Sequence, residues 1–151
     1  MKDLIKFLLG IIMLVINFFS SGCAVDGRHV ENKEEFDMVA SVAVYQTEEK
    51  MGETVPVGSP LLEETVRFIE LVKYSEDDLI SVPFRFADAE KFASITTNNI
   101  GRRLALAING EVVNTPVVNM PIEGGACVIT FTKDEALKFL PAEKVNRLIP
   151  E

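Results

Sequence analysis

The hydrophobic residues of this chain are distributed in three ways. One apolar run occupies residues 7–19 and is interrupted only by Gly10 and Asn17. A polar stretch follows at 24–35, and beyond it hydrophobic and polar positions alternate in short blocks. Alternation with a period of two predicts half-buried strands, and a period near 3.6 predicts amphipathic helices. The pattern therefore predicts one folded domain over 36–150, preceded by an N-terminal segment of a different kind.

In the first half of this domain the pattern predicts strands and loops. Residues 36–47 are rich in Val and Ala and predict a strand. Residues 61–74 fit both a helix and a strand, and the strand is favoured over 65–74. A strand is also predicted over 79–86, after a polar turn. A loop is predicted over 48–60 because four turn-forming residues lie in it: Gly52, Pro56, Gly58 and Pro60.

The second half carries stronger local signals. Asn109-Gly110 is typical of a two-residue hairpin turn, because both residue types accept positive φ. Thr132 and Glu135 have the spacing of a capping box, which starts a helix. The predicted elements are a helix over 88–98 with Asp88 as its N-cap, strands over 103–108, 111–114 and 126–131, a helix ending near 140, and a short helix after Pro141. Together they predict an α+β fold, with an antiparallel sheet and two or three helices packed mainly on one face.

The N-terminal segment has the order of an export signal. Lysines precede the apolar run, and small residues lead to Cys23. A run of about 13 apolar residues is shorter than the roughly 20 that a bilayer span needs. Residues 20–23, Ser-Ser-Gly-Cys, resemble the lipobox of bacterial lipoproteins, although Ser20 stands where Leu is usual. The alternatives are a plain signal peptide with an ordinary Cys23 thiol, or a short membrane anchor.

The lipobox resemblance implies a cleaved signal peptide at 1–22 and a lipid on Cys23, followed by a polar tether over 23–35. Several acyl chains, such as palmitate, hold a protein firmly at a membrane, whereas a single chain binds only marginally. The domain would then be extracytoplasmic. Ala24 is not the Asp that retains lipoproteins in the inner membrane of some Gram-negative bacteria, so the outer membrane is favoured in such a source.

The charge balance narrows the range of partners. The net charge is −8, and it becomes −9 once the signal leaves, because two lysines and one aspartate leave with it. An acidic surface excludes nucleic acid as a partner, and it disfavours direct binding to anionic headgroups. The lipid would therefore provide membrane attachment.

The chemistry-bearing residues predict no catalytic site, metal site or cofactor. His29 is the only histidine, and it lies in the predicted tether without neighbouring ligands. Cys127 lies in an apolar strand and predicts a buried thiol. The acidic residues 76–78 lack the spacing of a calcium loop. Arg102-Arg103 could clamp a carboxylate, but solvent exposure at the start of a strand is favoured.

Residues 79–140 resemble the head subdomain of the first extracytoplasmic domain of SecD/SecDF, a membrane protein that assists protein export. The similarity consists of five ordered features: a helix ending in Thr-x-x-Asn-x-Gly-Arg, a strand ending in Asn-Gly, a Pro step, a Gly-Gly turn, and Phe-Thr-x-x-Glu-Ala. The residues identified as this motif are Thr97, Asn99, Gly101, Asn109, Gly110, Pro116, Gly124, Gly125, Thr132 and Glu135. Each has a structural role, so the resemblance implies no catalytic residues.

The leading functional prediction is a non-catalytic envelope lipoprotein that binds a protein or peptide. Exposed strand edges near 112–119 could accept an added strand, and the resemblance implies a link to protein export or envelope maintenance. SecD has several membrane spans and a base subdomain, for which this sequence has no evident room. One alternative is a small-molecule-binding lipoprotein or a carboxylate-using hydrolase. Another is an acidic inhibitor or immunity-type lipoprotein.

Overall fold

The computed structural model describes residues 30–74 and 78–150. They form one six-stranded antiparallel sheet, in the order β5-β4-β1-β2-β3-β6, together with three helices. The strands are β1 (Val30–Lys50), β2 (Glu53–Tyr74), β3 (Ile80–Arg85), β4 (Leu104–Ile108), β5 (Glu111–Asn114) and β6 (Ala126–Phe131), and the helices are α1 (Ala89–Asn98), α2 (Lys133–Phe139) and α3 (Ala142–Leu148). The predicted α+β class is confirmed.

A long hairpin of β1 and β2 dominates the sheet. The two strands have 21 and 22 residues and pair antiparallel from Val30 to the Lys50–Glu53 pair that closes the turn. Met51 and Gly52 form this turn, with φ values of 54° and 82°. The prediction of a strand over 65–74 is confirmed. The prediction of a loop over 48–60 is wrong, because the connection has only two residues.

The prolines that predicted this loop lie where β2 needs no donor on its outer side. β3 pairs with β2 only at Val72 and Lys73, so the β3-facing edge of β2 has no ladder near Pro56 or Pro60. Proline is tolerated at such an edge because the missing N–H breaks no hydrogen bond. Gly58 lies at a register irregularity in the hairpin rather than in a turn.

The first strand begins earlier than the sequence predicted. Residues 30–35, which the sequence predicts as part of the tether, belong to β1, so the strand begins six residues before the predicted start of the domain. Three charged residues of this stretch have partners: Lys33 pairs with Glu70, Glu31 pairs with Lys73, and Glu34 lies 3.3 Å from the Lys144 ammonium. A polar segment can form a strand when its side chains are satisfied by neighbouring strands and helices. Signal residues 1–22, the lipidation site Cys23 and the rest of the predicted tether lie outside the described residues.

A single hydrophobic core lies between one face of the sheet and the helices. Four phenylalanine rings run through it from β2 to α1. The ring centroids of Phe68 and Phe84 are 5.5 Å apart, those of Phe84 and Phe86 are 5.3 Å apart, and those of Phe86 and Phe92 are 4.7 Å apart. The first two contacts are edge-to-face, an arrangement that adds to area burial. This row of rings fixes β2, β3 and α1 relative to one another.

Side chains at the helix N-termini hold the helices in place. The Asp88 carboxylate accepts the Lys91 N–H at 3.0 Å, which confirms the predicted N-cap of α1. Glu64 on β2 reinforces this end, because its carboxylate accepts the Ala87 N–H at 2.6 Å and the Asp88 N–H at 2.9 Å. The Glu64 contact joins the hairpin to the start of α1. No local sequence pattern indicated it, because the partners are 23 residues apart along the chain.

Candidate functional site

The candidate interaction surface is one edge of the sheet. β5 is one of the two terminal strands, β6 being the other, and within the described residues it pairs with β4 alone. Val112 on β5 is 38% exposed, which is high for a valine in a strand. A terminal strand presents unpaired backbone donors and acceptors, which can pair with another extended segment. The predicted exposed edge near 112–119 is therefore present in the fold.

The turn before β5 is fixed by Asn109 and Gly110. Their φ values are 49° and 84°, so the prediction of a two-residue hairpin with both residues left-handed is confirmed. Asn109 also contacts β1, because its side-chain oxygen accepts the Ser41 N–H at 3.0 Å and its own N–H donates to the Ser41 oxygen at 2.8 Å. The turn residue thus positions β5 against the central strands, a tertiary role that the dipeptide alone did not indicate.

The segment after β5 turns at Pro116 and then follows the start of β4. The Leu104 N–H donates to the Pro116 oxygen at 3.0 Å, and Arg103 and Val117 form an isolated bridge. The Arg103 guanidinium donates to the Thr115 oxygen at 2.8 Å, which gives it a structural role. Proline has no N–H to donate to a ladder, and β5 ends at Asn114, two residues before Pro116.

An apolar recess lies behind this edge, between α1, β4 and the segment over 116–122. Its floor is formed by hydrophobic side chains of the core, and Thr96 and Asn119 are the polar residues at its wall. No carboxylate lines it. The lining residues are Val44, Phe92, Thr96, Leu104, Leu106, Pro116, Val117, Val118, Asn119, Met120, Ile122 and Cys127.

The C-terminal end of α1 determines the shape of the recess. Thr96 is fully buried, and its hydroxyl oxygen accepts the Ile122 N–H at 2.9 Å, which ties the helix to the 116–122 segment. Asn99 is also buried and donates from its side-chain amide to the Ile95 oxygen at 2.8 Å. Gly101 donates to the Val118 oxygen at 2.7 Å. Thr97, which the sequence predicted as the motif threonine, is exposed, and the threonine that ties the helix to the 116–122 segment is Thr96, three residues before Asn99.

Two other predicted motifs hold the opposite side of the domain. A Cβ atom on Gly125 would lie 2.6 Å from the Phe86 oxygen, and its φ is 71°, so this position requires glycine. Gly124 accepts a hydrogen bond from Arg85 through its backbone oxygen. The Thr132 hydroxyl accepts the Glu135 N–H at 3.3 Å while the Glu135 carboxylate accepts the Thr132 N–H at 2.8 Å, which confirms the capping box.

The remaining chemistry-bearing residues do not converge on a reactive centre. Cys127 is buried, as predicted, and desolvation raises the pKa of its thiol far above the ordinary range. The Asp78 side chain is 93% exposed and lies 4.0 Å from Lys73. Among residues 30–74 and 78–150, no three His, Cys, Asp or Glu side chains are grouped as metal ligands. His29 and Asp77 lie outside the described residues.

Comparison with known proteins identifies the region around this edge. The family model described as SecDF, P1 head subdomain, matches residues 65–139. Residues 65–139 form a SecD/SecDF P1-head-like domain. This match includes the Gly-Gly turn, the capping box, the β4–β5 hairpin and every lining residue of the recess except Val44. The resemblance predicted from the motifs is confirmed at this level, and the match begins further upstream, inside β2.

Individual relatives agree with the P1-head-like assignment. The chain is 30% identical over 104 residues to the protein translocase subunit SecD of Dictyoglomus turgidum, covering 68% of this chain and 25% of the relative. It is 31% identical over 97 residues to SecD of Acidaminococcus fermentans, covering 64% of this chain and 22% of the relative. The crystal structure of SecDF in its super-membrane-facing form has a similar fold, with a TM-score of 0.50 and 21% identity over 70% of this chain and 18% of that chain.

The chain spans about a quarter of the length of these curated relatives. The family match leaves out β1, the first part of β2 and α3. None of the three helices in the described part of the chain has the length and apolar character of a membrane span.

Proposed function

We propose that this chain is an extracytoplasmic, lipid-anchored lipoprotein whose P1-head-like domain binds a protein or peptide in support of protein export or envelope maintenance. The observation that carries the proposal is the terminal strand β5, which combines an unpaired edge with a neighbouring apolar recess inside the P1-head-like region. The relatives named protein translocase subunits supply the link to export.

The geometry suits an extended peptide. An added strand would gain backbone hydrogen bonds along β5, and a small apolar side chain of the peptide, beyond Pro116, could enter the recess of about 30 Å³ between Val117 and Met120. Binding of this kind recognises an extended backbone first and side chains second. Such selectivity fits a domain that meets many unfolded chains. The recess lining lacks carboxylates, which supports binding rather than the hydrolase alternative.

The anchoring part of the proposal rests on the lipobox-like residues 20–23. Six residues separate Cys23 from Val30, where β1 begins. Even fully extended, these residues and their flanking bonds would span about 25 Å, at roughly 3.5 Å per residue. A lipidated Cys23 would therefore keep the folded domain close to the membrane surface, where exported chains emerge.

A strand-addition assay tests the binding proposal on the full chain in detergent. The probe is a ten-residue peptide of alternating valine and lysine, and the comparison peptide has proline at alternate positions and cannot form a strand. We expect the first peptide to bind and the second not to bind. Val112→Lys, which places a charge on the edge, should weaken binding by about tenfold, a loss of about 1.4 kcal/mol.

The matched control is Val39→Lys. Val39 is 60% exposed and lies on β1, away from the β5 edge. This variant should bind the peptide as the parent does. Equal binding of both peptides, or equal loss in both variants, would contradict strand addition at β5.

Mass spectrometry of the membrane-extracted protein tests the anchor. The expected species begins at Cys23 and carries a diacylglycerol mass, and Cys23→Ala should abolish the modification and leave the precursor uncleaved. An unmodified Cys23 or an intact Met1 in the parent protein would disprove lipidation without affecting the peptide-binding result.

A further inference from the structure

The far end of the β1–β2 hairpin extends beyond the rest of the sheet. The last residue of β1 that pairs with β4 is Gln46, opposite Leu104. Past this point β1 and β2 pair only with each other, through four more pairs that end at Lys50 and Glu53. We call residues 47–57 the distal arm. At about 3.3 Å per residue, the distal arm extends roughly 13 Å beyond the β4 edge.

The apex of the distal arm combines two unfavourable features in one residue. Met51 is 99% exposed, although its side chain is apolar. Its φ is 54°, a left-handed conformation that costs energy for any residue with a Cβ and that favours Asn or Gly in such turns. Neither hydration nor local backbone preference explains methionine here. Departures of this kind from local preference are concentrated at functional positions.

The β2 edge of the distal arm is unsuited to strand addition. Pro56 has no N–H to donate and lies opposite Thr47 in the arm, and Pro60 follows in the same strand. Proline at an edge is a common means of preventing further pairing. A partner would therefore contact side chains at the apex rather than extend the ladder. Methionine suits such a contact, because its flexible, polarizable side chain adapts to apolar sockets.

The charge of the distal arm restricts the partner. Glu48, Glu49 and Glu53 surround the apex together with a single cation, Lys50, and all four are exposed. Complementarity requires basic side chains around the surface that receives Met51. The same charge repels anionic lipid headgroups, so a bilayer is not the surface that fits.

We propose that the distal arm is a docking element for a protein that has an apolar socket bordered by lysine or arginine side chains, with Met51 entering the socket. This surface is separate from the β5 edge. The arm also lies outside the family match, which begins at residue 65.

A crosslinking experiment in intact cells identifies the partner. A photoreactive phenylalanine derivative replaces Met51 in the full chain, and the matched control carries it at Ile69, which is 58% exposed on the sheet face. We expect a discrete protein adduct from position 51 that is absent from position 69. Adducts with lipid, with a second copy of this chain, or at equal yield from both positions would overturn the proposal.

The partner recovered from the adduct, once purified, is the probe for the decisive measurement. Met51→Asn places the preferred residue in the turn, so the thermal midpoint of the protein should rise while affinity for the partner falls at least tenfold. Affinity of the parent should also fall as salt rises from 0.1 to 0.5 M, because charges contribute to docking. Val112→Lys should leave this affinity unchanged. Unchanged affinity in Met51→Asn would overturn the proposal, since the variant retains the arm and removes only the apolar apex.

Discussion

The two ends of the β1–β2 hairpin are stabilised differently. The proximal part, residues 30–45 with 61–74, contributes to the core and contacts helices. Phe68 and Leu71 are fully buried there, and Glu34 contacts α3. Among the described residues, no other strand or helix pairs with the distal arm beyond its base, where the Thr47 hydroxyl donates to the Arg103 oxygen at 2.8 Å. Past that contact, its stability depends on its own backbone pairs and a two-residue turn. An isolated two-stranded hairpin is marginal in water, so the arm depends on the proximal part for its order.

Along the same two strands, the proximal part therefore provides stability, and the distal arm has side chains that are available for recognition. Side chains of the proximal part are constrained by packing, because replacing them leaves cavities or unpaired charges. Side chains of the distal arm can change with little cost to the fold, which leaves them available for contacts with other molecules. Local opening should also begin at the arm, where few apolar contacts oppose it.

The largest expected effect comes from the ring at the centre of the proximal part. Phe68 is fully buried, with its ring centroid 5.5 Å from that of Phe84. Phe68→Ala should lower the free energy of unfolding by about 3–5 kcal/mol, the usual cost of removing a buried aromatic side chain. Chemical denaturation followed by far-UV circular dichroism measures the change.

The matched control for Phe68→Ala is Val55→Ala in the distal arm. Val55 is only half-buried and pairs with Glu48. Its replacement should cost less than about 1 kcal/mol, in line with surface substitutions. If both variants lose a similar free energy of unfolding, the distal arm contributes to stability as much as the proximal part does. That result would contradict the proposed difference between the two ends of the hairpin.

The second prediction concerns the junction between the hairpin and α1. Glu64→Gln removes one of the two acceptor oxygens that receive the Ala87 and Asp88 N–H groups. The amide group would then face a backbone donor, so the loss should be about 1–2 kcal/mol. The control is Glu63→Gln, whose parent residue accepts only an exposed serine hydroxyl. Hydrogen exchange should increase at the start of α1 in Glu64→Gln alone, and equal exchange in both variants would argue against the junction.

The sequence predicted the features that depend on residues close together along the chain better than those that depend on distant residues. The capping box of Thr132 and Glu135 and the Asn109-Gly110 turn are set by residues a few positions apart, and both are confirmed. The Glu64 contact and the hydrogen bond from the Ile122 N–H to Thr96 join residues more than 20 positions apart. Periodicity and capping rules do not reach that far.

In the β1–β2 hairpin, local signals predicted a loop where long-range strand pairing forms a strand. Gly58 and Pro60 are turn-forming residues by local preference, yet they lie inside β2, because pairing with β1 continues on both sides of the irregularity. The polar composition of residues 30–35 predicted a solvated tether for the same reason, since the partners Lys73, Glu70 and Lys144 come later in the chain. The β5 edge could be predicted, because its turn and its proline are local signals.

The third prediction tests the contact between the start of β1 and α3. Glu34 lies 3.3 Å from Lys144 and 3.5 Å from Arg147, and its side chain is only 23% exposed. Glu34→Gln should therefore cost about 1 kcal/mol, near the upper end for pairs with partial exposure. Glu48→Gln on the distal arm should cost almost nothing in urea denaturation. If Glu34→Gln leaves the free energy of unfolding unchanged, residues 30–35 contribute as little to stability as the distal arm does.

The smallest expected effect is a pH dependence on the open face of the proximal part. The hydrogen bonds from the Arg67 guanidinium to the Asp37 carboxylate, one of them 2.7 Å long, hold the pKa of Asp37 below its ordinary value of 3.8. Because the folded state lowers this pKa, the contribution to stability is present above the unfolded pKa. It is lost as pH falls through the folded pKa. The pair is exposed, so salt should weaken it further.

A carboxyl carbon NMR titration measures the Asp37 pKa directly. Arg67→Gln should raise the Asp37 pKa towards its ordinary value, and it should remove the part of the acid-induced loss of stability that this pair contributes. An Asp37 pKa that is identical in the parent and in Arg67→Gln would mean that the pair does not persist in solution. The open face of the proximal part would then resemble the distal arm, with side chains that are ordered by their strand and not by their partners.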